Sequence, residues 1–370
     1  MYLFPRLVGV FTYFSITILF FLLLVKCNKK NLGKILLVCS FILAIMGFFY
    51  VPAESADLSR IWSTMKDFSS NSFKEQLDFS FSTNIPLFHL FTYCISLTGV
   101  YSLLPAIVAF IFYLNSFYII KDYSQKKEYS SLSIGMTFFV FMCFGQFVQV
   151  ISGIRSMLAF SIIARCVYNE YINNKNILRN IIWYIIAAMI HPAALTLFLI
   201  HLLLTLILSN KLSQLKKIVS IFLIALVILI FGKNYLLEMF SSASTYLTED
   251  SYSYIWEYII AILYLILLLF ALVNIKNVSN NLILLKKYVY CFILILFIFL
   301  PVYSIFQRYT VFISILSSPF FLELINNDQL ENYNYNYRQK KLLQLVFLIA
   351  MFILVLACAR GNLSGLKFFI

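Results

Sequence analysis

The stretch Leu7–Val25 reads LVGVFTYFSITILFFLLLV and contains no charged residue. Wound as a helix, about 19 residues rise roughly 28 Å, the thickness of a bilayer's hydrocarbon core. A run of this kind decides the fold class when others repeat it. Ile35–Tyr50, Ile218–Phe231, Ile255–Val273, Tyr288–Ile305 and Leu342–Ala359 carry almost no charge either. Of 370 residues, 62% are hydrophobic and only 12% charged, with a mean hydropathy of +0.91. A soluble domain is roughly half apolar and about a quarter charged. The sequence therefore predicts an all-α, polytopic membrane protein, one transmembrane domain spanning 1–370. Leu7–Val25 is too long for a signal-peptide core, and its lysines follow it, so it reads as a retained first helix.

The formal charge of +13 does not point to nucleic acid, because the lysines fall in short segments between apolar runs. Placing Lys26–Lys34, Lys121–Lys127, Lys175–Arg179, Lys211–Lys217, Lys276–Lys287 and Arg338–Lys341 in the cytoplasm puts 18 cations inside and 9 outside, with Arg165 inside a helix. That bias predicts both termini outside and about twelve spans. They run 7–25, 35–51, 100–120, 132–150, 155–172, 177–191, 192–208, 218–232, 254–273, 288–306, 309–325 and 342–359. The run 177–208 is divided at His191-Pro192, since proline removes a helical hydrogen bond and forces a break. The expected external parts are 52–99, with a short interfacial or re-entrant helix near Pro86–Leu97, and 232–254. The segment 326–341, rich in Asn-Tyr repeats, reads as a cytoplasmic loop. The seven cysteines are scattered without a C-x-x-C pair, so neither a disulfide framework nor a zinc site is indicated.

Ionisable groups at membrane depth are costly and mark function by default. Gln146, Gln149 and Ser152 recur every three residues and lead to Arg155 across Gly153, which permits a backbone break. His191 closes one span, and Arg308 lies between two others at the same outer level. Arg165 is about ten residues deeper, near Glu170, and reads as structural. Mixed carboxylates and aromatics in the first external segment, with Asp57 and Arg60 foremost, suit sugar hydroxyls and sugar faces. Cations gathered at the outer leaflet fit a lipid diphosphate, since arginine's planar fork pairs bidentately with phosphate oxygens. Such cations also stabilise the charge that develops when a sugar–diphosphate bond breaks. No D-x-D or acidic cluster suggests a metal for this work, and no cofactor is indicated.

Three pieces in order resemble one known family. They are Asp57-Leu58-Ser59-Arg60-Ile61 with Pro86-Leu87-Phe88-His89 after it, Ser152-Gly153-Ile154-Arg155-Ser156, and Ala187-Ala188-Met189-Ile190-His191-Pro192. Arg308-Tyr309 before a late span adds to the match. In these the chain is similar to the EpsG-like, Wzy-type polymerases of bacterial surface polysaccharide. The resemblance departs at Ser156 and Pro192, where many members carry Gln and Lys or Ser. It implies a GT-C-like, metal-independent membrane glycosyltransferase in the bacterial inner membrane. Its partner would be an undecaprenyl-diphosphate-linked oligosaccharide in the lipid, and it admits a chain-length regulator protein. The reaction implied moves a growing glycan onto a new lipid-linked repeat unit. Arg155, His191, Arg308 and Asp57 are then the catalytic candidates, with His191 and Asp57 alternative bases. Arg60, Gln149, Ser152 and Tyr309 are the substrate-binding candidates. A polysaccharide–lipid ligase needs the same cations, and a lipid-linked sugar transporter is the remaining alternative.

Overall fold

A computed structural model describes residues 3–52, 57–144, 147–208, 213–214, 217, 255–275, 278–325 and 345–352. Among these residues the chain is helical, with no β-strand. It runs α1 (Leu3–Val25), α2 (Leu32–Phe48), α3 (Asp57–Phe68), α4 (Phe73–Phe81), α5 (Pro86–Ser96), α6 (Leu103–Lys126) and α7 (Ser131–Phe144). Then come α8 (Phe147–Ser152), α9 (Ile154–Tyr171), α10 (Ile177–Ile190), α11 (Pro192–Leu208), α12 (Ile255–Asn274), α13 (Asn280–Ile298), α14 (Tyr303–Leu316) and α15 (Ser318–Ile325).

Three of these, Lys29–Phe48, Leu103–Lys126 and Asn280–Ile298, are long and apolar enough to cross a bilayer. The pair α14 and α15, bent by 50°, makes a fourth if it is one span. Other apolar helices, including α7, α10 and α11, are shorter. The perimeter is apolar: Phe11, Leu19, Phe41, Ile182, Ile266 and Leu294 are all exposed. A surface of this kind is paired with lipid rather than water. The expected spans 218–232, the external segment 232–254, the loop 326–341 and both termini lie outside the described residues, as does most of 342–359.

Local sequence explains most boundaries. Ser72 and Glu75 form a reciprocal capping box that starts α4, and those bonds hold the Glu75 carboxyl below the usual carboxylate range. Pro86 opens α5 at a position where its missing N–H is no loss. Ser279 caps α13 by accepting from the Leu282 N–H. The described residues of the segment 52–99 therefore hold three helices, α3 to α5, where one short helix was expected.

Several expected boundaries move. The span read at 288–306 is α13, which begins eight residues earlier, so Lys286 and Lys287 are helical and not loop residues. Lys286 reaches the Ile275 carbonyl at 3.4 Å, an end-of-helix contact that an apolar window cannot register. That shift draws the next helix forward too: α14 starts at Tyr303, and Arg308 lies within it instead of between two spans. The span read at 132–150 is divided into α7 and α8. The span read at 309–325 bends at Ser317, beside Pro319, which cannot donate the helical hydrogen bond of its position.

α9 lies at the centre, packed against α6, α8, α10, α11, α13 and α14. α2 packs closely on α6 because Gly47 carries no side chain; a Cβ there would come within 2.9 Å of the Pro105 carbonyl oxygen. Contacts define the two ends of the bundle. At one end Ser131 donates to the Cys27 carbonyl at 3.0 Å, Asn281 to the Ile172 carbonyl at 3.3 Å, and Lys127 pairs with Glu323. Three of the lysine-rich segments read as cytoplasmic therefore share that end. The candidate site lies at the other.

Candidate active site

Two helix breaks shape the site. At Gly153 the backbone turns at φ −86°, ψ 40°, ending α8 and starting α9. A Cβ there would sit 3.0 Å from the Gln149 carbonyl oxygen and 3.3 Å from Ser156 Oγ, so a side chain would force the break open. Arg155 follows immediately, in the first turn of α9, with its guanidinium 5.9 Å from the Phe88 ring centroid on α5. The second break is His191. Proline next in the chain pushes it to extended geometry, φ −152°, ψ 126°. Its backbone is satisfied on both sides: its N–H reaches the Ala187 carbonyl at 3.0 Å, and its carbonyl accepts from the Ala194 N–H at 3.0 Å.

The side chain is another matter. Both ring nitrogens of His191 are buried and neither has a hydrogen-bond partner among the described residues. Buried polar atoms are paired in the great majority of cases, so an orphan imidazole requires a reason. It faces a cavity of about 20 Å³ lined by Asp57, Ile61, Ser152, Gly153, Ile154, Arg155, Ser156, His191 and Arg308. The guanidiniums of Arg308 and Arg155 are both within electrostatic reach of the imidazole. Four segments far apart in sequence thus meet: the start of α3, the α8–α9 break, the α10–α11 break and the second turn of α14.

Asp57 is the carboxylate on this lining, and it is also ion-paired with Arg60. The Asp57 side chain is 38% exposed and that of Arg60 73%, so the pair sits at the rim. Arg60 holds Asp57 but does not itself line the cavity. Among the described residues, two guanidiniums stand against one shared carboxylate, which makes that lining positive. The cavity admits a water molecule or two. A diphosphate requires the α3 wall to move outward.

Not every candidate converges here. Ser152 lines the cavity, but Gln149 lines a neighbouring one with Tyr264, Gln307 and Thr310. Gln146 lies outside the described residues. Tyr309 is 3% exposed and sits behind the wall, with Phe160, Phe292 and Phe299 around its ring and a hydrogen bond to Thr196. Its surroundings are those of a packing residue. Ile61 and Ser156 were not singled out from sequence. Ile61 had a legible signal, being one turn beyond Asp57 on the same helix face.

Away from the cavity, Arg165 donates to Asn115 Oδ1 at 3.0 Å and lies 4.2 Å from the Tyr118 ring centroid. Glu170 is engaged elsewhere: His201 Nε2 is 2.7 Å from one oxygen, while Asn180 and Tyr184 donate to the other at 2.8 and 2.9 Å. This buried network ties α9, α10 and α11 together. Among the described residues no cluster of His, Cys, Asp and Glu has the makings of a metal site.

The EpsG family model matches residues 59–364, most of the chain and all but one of the cavity-lining positions. The chain belongs to the EpsG family. No curated protein matches it, and no solved structure does. EpsG membership, with the apolar helices, makes this a membrane protein of the polysaccharide polymerase type. In this EpsG-family chain the cavity gathers cations that the sequence leaves scattered.

Proposed function

We propose that this EpsG-family protein is a polymerase that moves a growing glycan from undecaprenyl diphosphate onto a new lipid-linked repeat unit. The reaction takes place at the outer face of the bacterial inner membrane, in a chain of about twelve spans with a GT-C-like architecture. The single observation that carries the reading is the orphan imidazole of His191 flanked by Arg155 and Arg308 in one cavity. That arrangement is positive and partly dry, and a diphosphate supplies an acceptor for the unpaired imidazole and charge for the guanidiniums.

The donor diphosphate lies between Arg155 and Arg308, with His191 donating a ring N–H to one of its oxygens. The acceptor hydroxyl attacks the anomeric carbon of the donor sugar. A new C–O bond forms as the bond from that carbon to the diphosphate oxygen breaks. The leaving oxygen keeps the electron pair, and the two guanidiniums take up the charge. The acceptor proton goes to Asp57, which comes from the α3 wall at the rim, where the acceptor arrives, and not from the bundle side that grips the leaving group. Arg60 orients that carboxylate. A base must lie within hydrogen-bond reach of the proton it removes, which favours the rim carboxylate over the imidazole between the arginines.

The test is complementation of a strain lacking this protein. Asp57→Asn should abolish polymer while the purified protein still retains the lipid-linked donor. His191→Gln should weaken donor retention as well as polymer yield. Polymer made at wild-type length by either variant removes that residue from the mechanism. A null strain that still makes long chains removes the polymerase reading altogether. A ligase null leaves full-length chains that never reach their final acceptor, whereas a polymerase null leaves single repeat units.

A further inference from the structure

A groove of about 720 Å³ opens between α5, α6, α9 and α10 and shares no lining residue with the cation cavity. Its walls change along its length. Toward the cavity end they are apolar, with Leu87, Phe91, Leu158 and Ile190. Toward the other end they carry Arg165, Lys175 and Arg179, with Asn115, Asn169 and Asn180 between. Arg165 is about 15 Å along α9 from Arg155, and Lys175 lies in the connection beyond the far end of that helix.

None of the three cations has a carboxylate within ion-pair distance among the described residues. Arg165 is held by an amide and a ring, and the nearest acid in sequence, Glu170, is occupied by His201, Asn180 and Tyr184. Lys175 and Arg179 stand exposed at the groove's mouth. Three uncompensated charges beside an apolar channel call for a ligand with the inverse polarity: an anionic head and an apolar tail.

We propose that this groove binds an anionic glycerophospholipid, its phosphate at Arg165, Lys175 and Arg179 and one acyl chain lying along Ile162 and Leu158. The charge gradient decides the source. A lipid whose head belonged in the catalytic cavity would bring only its tail to these cations and leave them unpaired. A phospholipid of the opposite leaflet brings its phosphate to them directly. The site is independent of the polymerase reading.

The experiment uses the purified full chain in detergent, with lipid retention read by native mass spectrometry and stability by thermal melting. The probes are phosphatidylglycerol, phosphatidylethanolamine with the same acyl chains, and undecaprenyl phosphate. Phosphatidylglycerol should be retained at least about tenfold better than phosphatidylethanolamine and should raise the melting temperature. The exposed pair Lys175→Gln/Arg179→Gln should lose that preference without changing the lipid-free melting temperature. Ile186→Trp, which fills the apolar part and leaves all three cations, should also lower retention. Equal retention of the two phospholipids, full retention by the double variant or by Ile186→Trp, or preference for undecaprenyl phosphate would each overturn the proposal.

Discussion

Arg155→Ala removes the guanidinium next to the Gly153 break. Its cost to folding should be small. The side chain is partly exposed and stacks on Phe88 at 5.9 Å, a contact worth about 0.5–1 kcal/mol. Alanine is also well tolerated in a first helical turn. Its cost to the reaction should be larger. Arg155 is one of two cations placed to receive charge as the diphosphate leaves, and losing one preorganised donor of this kind costs roughly a hundred- to a thousand-fold in rate. Arg155→Lys keeps the charge but not the fork. It gives up about one charge-assisted hydrogen bond of roughly 1.5 kcal/mol, so its loss should be nearer tenfold. The assay is a gel profile of surface polysaccharide from the null strain carrying each variant, with membrane levels checked by immunoblot. The expected order is a full ladder for wild type, shortened chains for Arg155→Lys and single units for Arg155→Ala at equal protein level. If Arg155→Ala makes normal-length chains, or if its loss tracks protein level alone, the electrostatic account of the cavity is wrong.

Pro192→Ala should let α10 run on through residue 191, turning the imidazole away from the cavity; polymer should fall sharply while protein level holds, measured on the same gels. Glu170→Gln removes the charge from a network that accepts from His201, Asn180 and Tyr184, so it should destabilise the bundle by about 3 kcal/mol, read as a lower melting temperature in detergent. Its effect on chain length should not exceed what the lowered level explains. Tyr309→Phe loses one hydrogen bond, to Thr196, and should cost about 1 kcal/mol of stability with near-normal polymer. A marked loss of chain length in Tyr309→Phe at normal protein level would put that hydroxyl back among the substrate contacts.

How much was legible in the sequence depended on how local the signal was. The break at His191-Pro192 and the one at Gly153 are written in two or three adjacent residues, and both stand where the residues put them. The start of α13 is not apolar: it is Ser279 capping Asn280-Asn281, and hydropathy alone moved it eight residues too late and left Arg308 in a loop. Gln149 and Ser152, three residues apart, part for a geometric reason. At 3.6 residues per turn, a spacing of three precesses by about 60° each step. Gln149 and Ser152 accordingly line different cavities. Glu170 looked like a neighbour for Arg165, five residues earlier, but pairs with His201, 31 residues later. Nothing periodic marks a contact across three helices. The convergence of Arg155, His191 and Arg308 was argued from shared depth and not from any pattern, and Asp57 was read separately, from the carboxylates of the segment 52–99.

The central claim is that two guanidiniums and an imidazole grip a lipid diphosphate while its sugar bond breaks. The direct measurement is made on purified protein supplied with lipid-linked repeat units extracted from polymerase-null cells, following free undecaprenyl diphosphate alongside glycan length. Wild type should release one undecaprenyl diphosphate for each unit added, with chelator present, and Arg155→Ala and Arg308→Ala should each release far less. Glycan growth without that release, no growth from wild type, or growth restored only by a divalent metal would contradict the account.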